Sequence, residues 1–369
     1  MYKILIHGMN NSIGGTESVI MNYYRKLNGS EIHFDFLCNK KLSYEKEIIS
    51  SGSKIYYLTS KSKHPFLYRR KIENFFKNNA HLYDCIWANE SGLANIDYLK
   101  LAKRYGIKKR VIESHTTSNL YSGVTKPIKT FLHNKHKKII EKYATDFWAV
   151  SKEASMWLYP KKVWSNTQII KNAININHFS FNLQKRYDIR KKYNLTDNYV
   201  IGLVGRLSPE KNQLFVLDIL KNINIPNAKV VIVGDGPDRD KILMKAKELN
   251  INNKILLPGA QKDMQAWYSA FDCYILPSFF EGLSVSGLEA QANGLPILVS
   301  VGSRPHDLKV NNNFSYLSLN KSVDVWCNQI KNIKKNQKRL SQANIISNFN
   351  KSGLNLDNEY VKVKKLLVK

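Results

Sequence analysis

The chain is poor in cysteine, in long apolar runs and in acid, and each shortage removes a class of protein. Its four cysteines, Cys38, Cys85, Cys273 and Cys327, lie far apart, three of them inside apolar runs that read as strands. No Cys-x-x-Cys pair exists for metal or redox work, so reduced, mostly buried thiols of a cytoplasmic protein are expected. No run of about 18 apolar residues occurs, and the apolar part of the opening MYKILIHGMN is too short for a signal peptide. Neither a membrane span nor secretion is expected. With 18 glycines and 10 prolines in 369 residues, collagen and low-complexity disorder are excluded as well.

Acid is the most telling deficit. Against 57 Lys+Arg stand 29 Asp+Glu, a net charge of +28, which calls for an anionic partner: nucleic acid, an anionic membrane surface or a phosphorylated substrate. Residues 1–178 carry 29 basic and 13 acidic side chains (+16), leaving 28 and 16 (+12) for the rest, so no charged tail accounts for the excess.

What is present reads as a folded α/β protein. Hydrophobic residues make up 43% and charged residues 23%, and the length favours two cores over one. Strand-like runs at 3–7, 32–38, 54–58, 84–88, 110–115 and 146–150 alternate with helical stretches such as Glu17 to Leu27 and Tyr98 to Tyr105. The pattern restarts with runs at 199–205, 229–234, 254–259, 272–277 and 296–300, separated by helical segments at 211–222, 238–249, 263–270 and 285–293. Such alternation predicts two doubly wound parallel sheets in tandem, with ligands at the strand C-terminal ends in a cleft between the domains. The polar stretch 177–197 reads as the connector, and beyond residue 320 the chain reads as helices.

Four segments carry chemistry. Gly14-Gly15, before a helix starting near Thr16, lets backbone approach a ligand and offers amides to a phosphate, although a tight turn alone would also explain it. The spacing is not the dinucleotide Gly-x-Gly-x-x-Gly. At the start of the second domain, Gly205-Arg206-Leu207 is followed by Lys211, a guanidinium and an ammonium able to grip a diphosphate from two directions, unless both are merely solvated surface charges. In PSFFEGLSVSGLEAQANGLP (277–296), Glu281 and Glu289 flank a helix entrance, with the amides of Gly282, Leu283 and Ser284 between them. The carboxylates suit sugar and ribose hydroxyls, and the amides suit phosphate. Asp238-Arg239-Asp240 spells the metal-binding Asp-x-Asp, but at a helix start, where acidic residues favour the helix dipole.

Taken in order, Gly-Gly-Thr-Glu at 14–17, Gly-Arg-Leu with Lys211, Gly-Asp-Gly-Pro at 234–237 and the Glu-x7-Glu of 281–289 resemble the retaining glycosyltransferases of family 4 (glycosyl transferases group 1), of GT-B fold, over nearly the whole chain. The resemblance implies two Rossmann-like domains facing across a cleft. Residues 1–178 would be the acceptor-side domain, 179–345 the nucleotide-sugar domain, and 346–369 a C-terminal helix packing back on the first. It implies that the Gly15 amide, Arg206 and Lys211 hold the donor diphosphate, that Glu281 contacts the donor sugar and Glu289 the ribose, and that backbone near Gln261 meets the base. His115, ending RVIESH, matches the family's cleft histidine beside the donor sugar. The implied activity transfers a hexose or N-acetylhexosamine from a UDP-sugar to a glycan or lipid-linked acceptor in capsule or exopolysaccharide synthesis, with no metal and no cofactor. The junction Asn172-Ala173-Ile174-Asn175 and Ser303-Arg304-Pro305 depart from the family pattern and bear on the donor-sugar pocket.

A sugar-nucleotide epimerase of the same fold and a basic nucleic-acid binder stay as rivals. The Glu-x7-Glu opposes the first, and the lack of a recognisable module or aromatic-basic interleaving opposes the second. Finally, KPIKTFLHNKHKKIIEK (126–142) places Ile128, Phe131, Leu132, Ile139 and Tyr143 on one lysine-rimmed helical face. Such a face suits peripheral contact with the anionic inner leaflet, or packing on its own sheet.

Overall fold

A computed structural model describes residues 1–9, 15–117, 121, 123–279, 283–303, 308–336 and 338–369. The near-continuous apolar runs form strands of two wholly parallel sheets, as expected for strands covered on both faces. The first contains β1 (Tyr2–His7), β2 (Ile32–Cys38), β3 (Ile55–Tyr57), β4 (Cys85–Glu90), β5 (Lys109–Ser114), β6 (Asp146–Ala149) and β7 (Gln168–Ile169), in the order β3-β2-β1-β4-β5-β6-β7. The second contains β8 (Tyr199–Val204), β9 (Ala228–Val233), β10 (Ile255–Gly259), β11 (Cys273–Leu276), β12 (Ile297–Ser300) and β13 (Phe314–Leu317), in the order β10-β9-β8-β11-β12-β13. Each sheet starts at its centre, runs to one edge and then reverses, which is the doubly wound Rossmann order. β7, of two residues, and β13, flanked by asparagines, were too short or too polar to be read as apolar runs.

The chain divides into two compact units, residues 1–173 with 356–369 and residues 174–355. In the first, Trp87 and Trp148 pack edge to face at 5.5 Å inside the sheet core. The C-terminal helix Leu356–Val368 belongs to this unit: Lys26 pairs with Asp357 at 2.5 Å, Lys364 with Glu31 at 2.8 Å, and Lys362 Nζ donates to the Ile169 carbonyl at 2.7 Å. In the second, Trp326 of the helix Val323–Asn336 meets Phe215 of the helix Gln213–Asn222 at 5.4 Å. All four cysteines are buried free thiols.

Two expectations are corrected. The stretch read as a connector contains the helix Leu183–Lys192, capped by Asn182 Oδ1, which accepts from Lys185 N at 2.9 Å; it lies within the second unit. Its arginines are anchors: Arg186 and Arg190 both bond Asp272, at 2.6 and 2.5 Å. The basic helix spans only Lys126–Lys137, so Ile139 and Tyr143 lie beyond its end. It buries His133 and His136, which bond the amide and carbonyl of Leu93 at 3.0 and 2.6 Å, and it turns Ile128 and Phe131, both about two-thirds exposed, toward solvent. Among the described residues no helix is long and apolar enough to cross a membrane.

Candidate functional site

In the second unit the winding reverses between β8 and β11, and a crevice opens where successive crossovers leave opposite faces of a sheet. The loop leaving β8 is shaped by the one leaving β9. A β-carbon on Gly234, at φ +144°, would lie 2.0 Å from the Gly205 carbonyl oxygen, and one on Gly236 would lie 2.3 Å from that of Leu207. Only glycine admits this approach, and it is used: Gly205 N donates to Val233 O and Leu207 N to Asp235 O, each at 3.0 Å, and Asp238 N to Leu207 O at 3.1 Å. Gly-Asp-Gly-Pro thus serves as the bed on which Gly-Arg-Leu lies. Gln213 Nε2 donates to the Arg206 carbonyl at 2.7 Å, and the Arg206 side chain is exposed and, among the described residues, bonded to none. Lys211 folds back over the same strand end, its Nζ 4.0 Å from where a Gly205 β-carbon would sit.

The loop leaving β11 is tied to this one. Phe279 N donates to Glu210 O at 2.9 Å and Asn212 Nδ2 to Pro277 O at 3.1 Å. The Tyr274 hydroxyl lies 3.3 Å from the Val204 carbonyl and 3.0 Å from Ser286 Oγ, joining the end of β8 to the first turn of the helix Val285–Ala292. Ser284 caps that helix, its Oγ accepting from Gly287 N at 3.4 Å. Arg206, Lys211, Leu283 and Ser284 are therefore brought to one switch point, where two cations and a helix N-terminus suit an anion. Glu289 lies one turn into the helix, half-buried, its Oε2 accepting from the Tyr268 hydroxyl at 2.7 Å. Burial pushes this carboxyl up to about 7, against the pull of Tyr268. Gln261 stands past the end of β10, two strands from β8, its Nε2 donating to Pro258 O at 2.8 Å. Glu281 and Gly282 lie outside the described residues.

The first unit has its own switch point, between β1 and β4. Gly15 opens the helix Gly15–Leu27 and is exposed; Gly14 lies outside the described residues. His115 follows β5, its amide donating to Glu90 O at 3.1 Å and its Nε2 lying 2.9 Å from Asn89 Oδ1. The imidazole is only 3% exposed and its Nε2 is 3.9 Å from Glu113 Oε2, which also accepts from Trp87 Nε1 at 2.8 Å. Burial lowers His115 to about 3 and raises Glu113 to about 8. A second such pair lies alongside: His7 Nε2 is 3.7 Å from Glu90 Oε1, with burial lowering His7 to about 4 and raising Glu90 to about 8. Of this polar layer only His115 stands out in the sequence, by its match to the family motif. The readable signal for the others was that KILIH, CIWANE and RVIESH each end an apolar strand in histidine or glutamate.

Among the described residues no group of three or more His, Cys, Asp or Glu is placed to hold a metal ion. Asp238 stands at the N-cap position of the helix Arg239–Glu248 without a side-chain capping bond and accepts from Lys241 Nζ at 2.9 Å, with Asp240 in the first turn.

The model of the family described as glycosyl transferases group 1 matches residues 185–351. The glycosyltransferase EpsF of Bacillus subtilis, itself assigned only provisionally, is 28% identical over 335 residues, 88% of this chain and 85% of its own length. A UDP-Gal:alpha-D-GlcNAc-diphosphoundecaprenol alpha-1,3-galactosyltransferase of Escherichia coli is 32% identical over 176 residues, 46% of this chain and 41% of its own. Among solved structures, Anabaena HepE in complex with UDP and glucose superposes with a TM-score of 0.80 at 17% identity, covering 100% of both chains.

Proposed function

We propose that this chain, whose residues 185–351 belong to the glycosyl transferases group 1 family and whose two sheets are those of the GT-B fold, is a retaining, metal-independent hexosyl- or N-acetylhexosaminyltransferase. Its donor is a UDP-sugar and its acceptor a glycan or lipid-linked saccharide of surface-polysaccharide synthesis. The observation that carries the reading is the convergence of Arg206, Lys211 and the Ser284-capped helix N-terminus at the β8/β11 switch point. A nucleoside diphosphate leaving group gains charge as its bond to the sugar breaks, and donors fixed there stabilise that charge most in the transition state. The Escherichia coli relative, named for a UDP-sugar donor and a lipid-diphosphate acceptor, supports the choice of substrates, as does HepE with its bound UDP.

In this mechanism the bond between the anomeric carbon and the phosphate oxygen breaks, and the acceptor oxygen bonds the same face of the sugar. The acceptor proton passes to the departing phosphate oxygen. Glu289 receives the ribose hydroxyls, Glu281 and His115 orient the sugar, and the Gly15 amide and backbone near Gln261 complete the donor site.

Thermal stabilisation tests the proposal. UDP at about 100 times its dissociation constant adds about 2.7 kcal/mol, and the shift is expected with UDP and its sugars, not with GDP or ADP, and to be unchanged by chelator. Arg206→Ala should abolish it while leaving the unliganded midpoint in place, because the guanidinium is exposed. An equal response to GDP would overturn the donor assignment, and loss of the response on chelation would overturn metal independence.

One further observation favours contact with an anionic membrane. The helix Lys126–Lys137 packs through its histidines and leaves Ile128, Phe131 and the preceding Val124 exposed beside Lys126, Lys135 and Lys138. Basic residues near such a surface contribute about 1 kcal/mol each. Co-sedimentation with phosphatidylglycerol vesicles at low salt, lost with neutral vesicles and weakened in Ile128→Ser/Phe131→Ser, is the expected result; equal sedimentation of that double variant would refute it.

A further inference from the structure

His115 is one of two candidates named for the sugar-orienting role, and what it can do there depends on which ring nitrogen holds its proton. The geometry points to Asn89 as a positioning residue that fixes His115 as its Nε2–H tautomer, leaving Nδ1 as the ring's only hydrogen-bond acceptor. The catalytic consequence rests on the glycosyl-transfer reading; the tautomer does not.

Asn89, next to last in β4, is only 3% exposed. Its Nδ2 lies 3.3 Å from the His7 carbonyl and 3.4 Å from the Trp87 carbonyl, two groups that can only accept. The NH2 end must face them, so Oδ1 is the end 2.9 Å from His115 Nε2. Oδ1 also can only accept, and two bare acceptors do not meet at that distance, so the proton sits on Nε2.

Position is fixed from several sides. The next residue, Glu90, accepts the His115 amide through its carbonyl, so β4 holds both the backbone and the ring of His115. Gly8, at φ +97°, presses on the same strand: a β-carbon there would lie 1.9 Å from the Asn89 carbonyl oxygen. Among the described residues the charged or titratable groups of this layer are Glu113, 3.9 Å from Nε2 and held by Trp87, the His7–Glu90 pair, and Tyr98, whose ring lies 4.2 Å from that of His7, and burial drives all of them toward their neutral forms. The ring therefore carries one proton, committed to Asn89. It accepts a sugar hydroxyl through Nδ1 and donates no proton to the leaving phosphate, in keeping with transfer of the acceptor proton to that phosphate.

Nitrogen NMR of 15N-histidine-labelled full-length protein reads this without substrate. At neutral pH the signals absent from His115→Gln should be a pyrrole-type Nε2 and a pyridine-type Nδ1. In Asn89→Ala the two tautomers should mix, with kcat falling about tenfold or more, equivalent to about 1.4 kcal/mol, and donor KM changing less. Asn89→Asp keeps an acceptor but adds charge, so it should retain Nε2–H, favour the imidazolium and move the acid limb of the kcat profile to higher pH. A wild-type Nδ1–H tautomer or imidazolium, or an Asn89→Ala spectrum identical to wild type, overturns the inference. If Asn89→Ala does not fold, the wild-type and Asn89→Asp spectra decide it. An Nε2–H ring in a protein that UDP and its sugars neither stabilise nor occupy would instead locate the failure in the proposed function.

Discussion

Glu113 is the penultimate residue of β5, its side chain 1% exposed, and its histidine neighbour is itself held neutral by burial. Its carboxyl is raised from 4.5 to about 8. A carboxyl whose folded pKa lies above its unfolded value gives a contribution that is complete below pH 4.5 and gone once the pH passes about 8. His115 and His7, lowered from 6.5, act in the opposite sense, destabilising only below pH 6.5. The interval from pH 6.5 to 8, below the ionisation of the unfolded thiols, whose folded values burial raises from 9.0, therefore isolates the carboxyls. Wild-type stability to urea should fall across it, and Glu113→Gln should flatten the fall; parallel slopes would show that Glu113 is ionised in the folded protein. None of this was readable from residue types. A glutamate at a strand end looks the same in sequence whether it faces water or an indole, and only the neighbouring strand β4 puts Trp87 against it.

At the scale of elements, the helix Met264–Ala270 ends without a glycine cap, its chain turning at Phe271 directly into β11. Its last carbonyls are received by arginines from distant sequence: Arg339 Nη2 donates to Tyr268 O and Ser269 O, each at 3.1 Å, and Arg186 Nη1 to Ser269 O and Phe271 O, each at 2.9 Å. Arg339 also holds Asn293 through its carbonyl and its side-chain oxygen. Cations suit a helix C-terminus, and hydrogen bonds to charged groups contribute about 1.5–3 kcal/mol each. Arg339→Met should cost at least about 3 kcal/mol in urea unfolding, since several buried acceptors lose their donor together; a loss below about 1 kcal/mol would mean that water replaces it. The apolar strands and most helices were legible from periodicity, because burial on both faces writes itself as unbroken hydrophobic runs. The helix Leu183–Lys192 was not, because its buried contacts are made by arginines, which composition reads as solvated charge.

For the whole molecule, +28 spread over both halves means that compaction works against self-repulsion. Thermal midpoints of the unliganded protein should rise as sodium chloride is raised from low to physiological strength, since screening reaches about 8 Å there; falling midpoints would show that the ion pairs outweigh the repulsion. By itself the sequence determined the alternation of strands and helices and the two doubly wound sheets, and it named Arg206, Lys211, Ser284, Glu289 and His115 as candidates for the chemistry. These are matters of local period and of motif, carried by residues close together along the chain. Only the tertiary structure decided that the glycines of 234–236 bed the Arg206 loop, that basic residues of 183–192 cap another helix, that the histidines of the helix Lys126–Lys137 face inward, and that Asn89 meets His115. Each of those joins residues about 26 or more apart, and such pairing is set by strand order and register, which no local stretch of sequence contains.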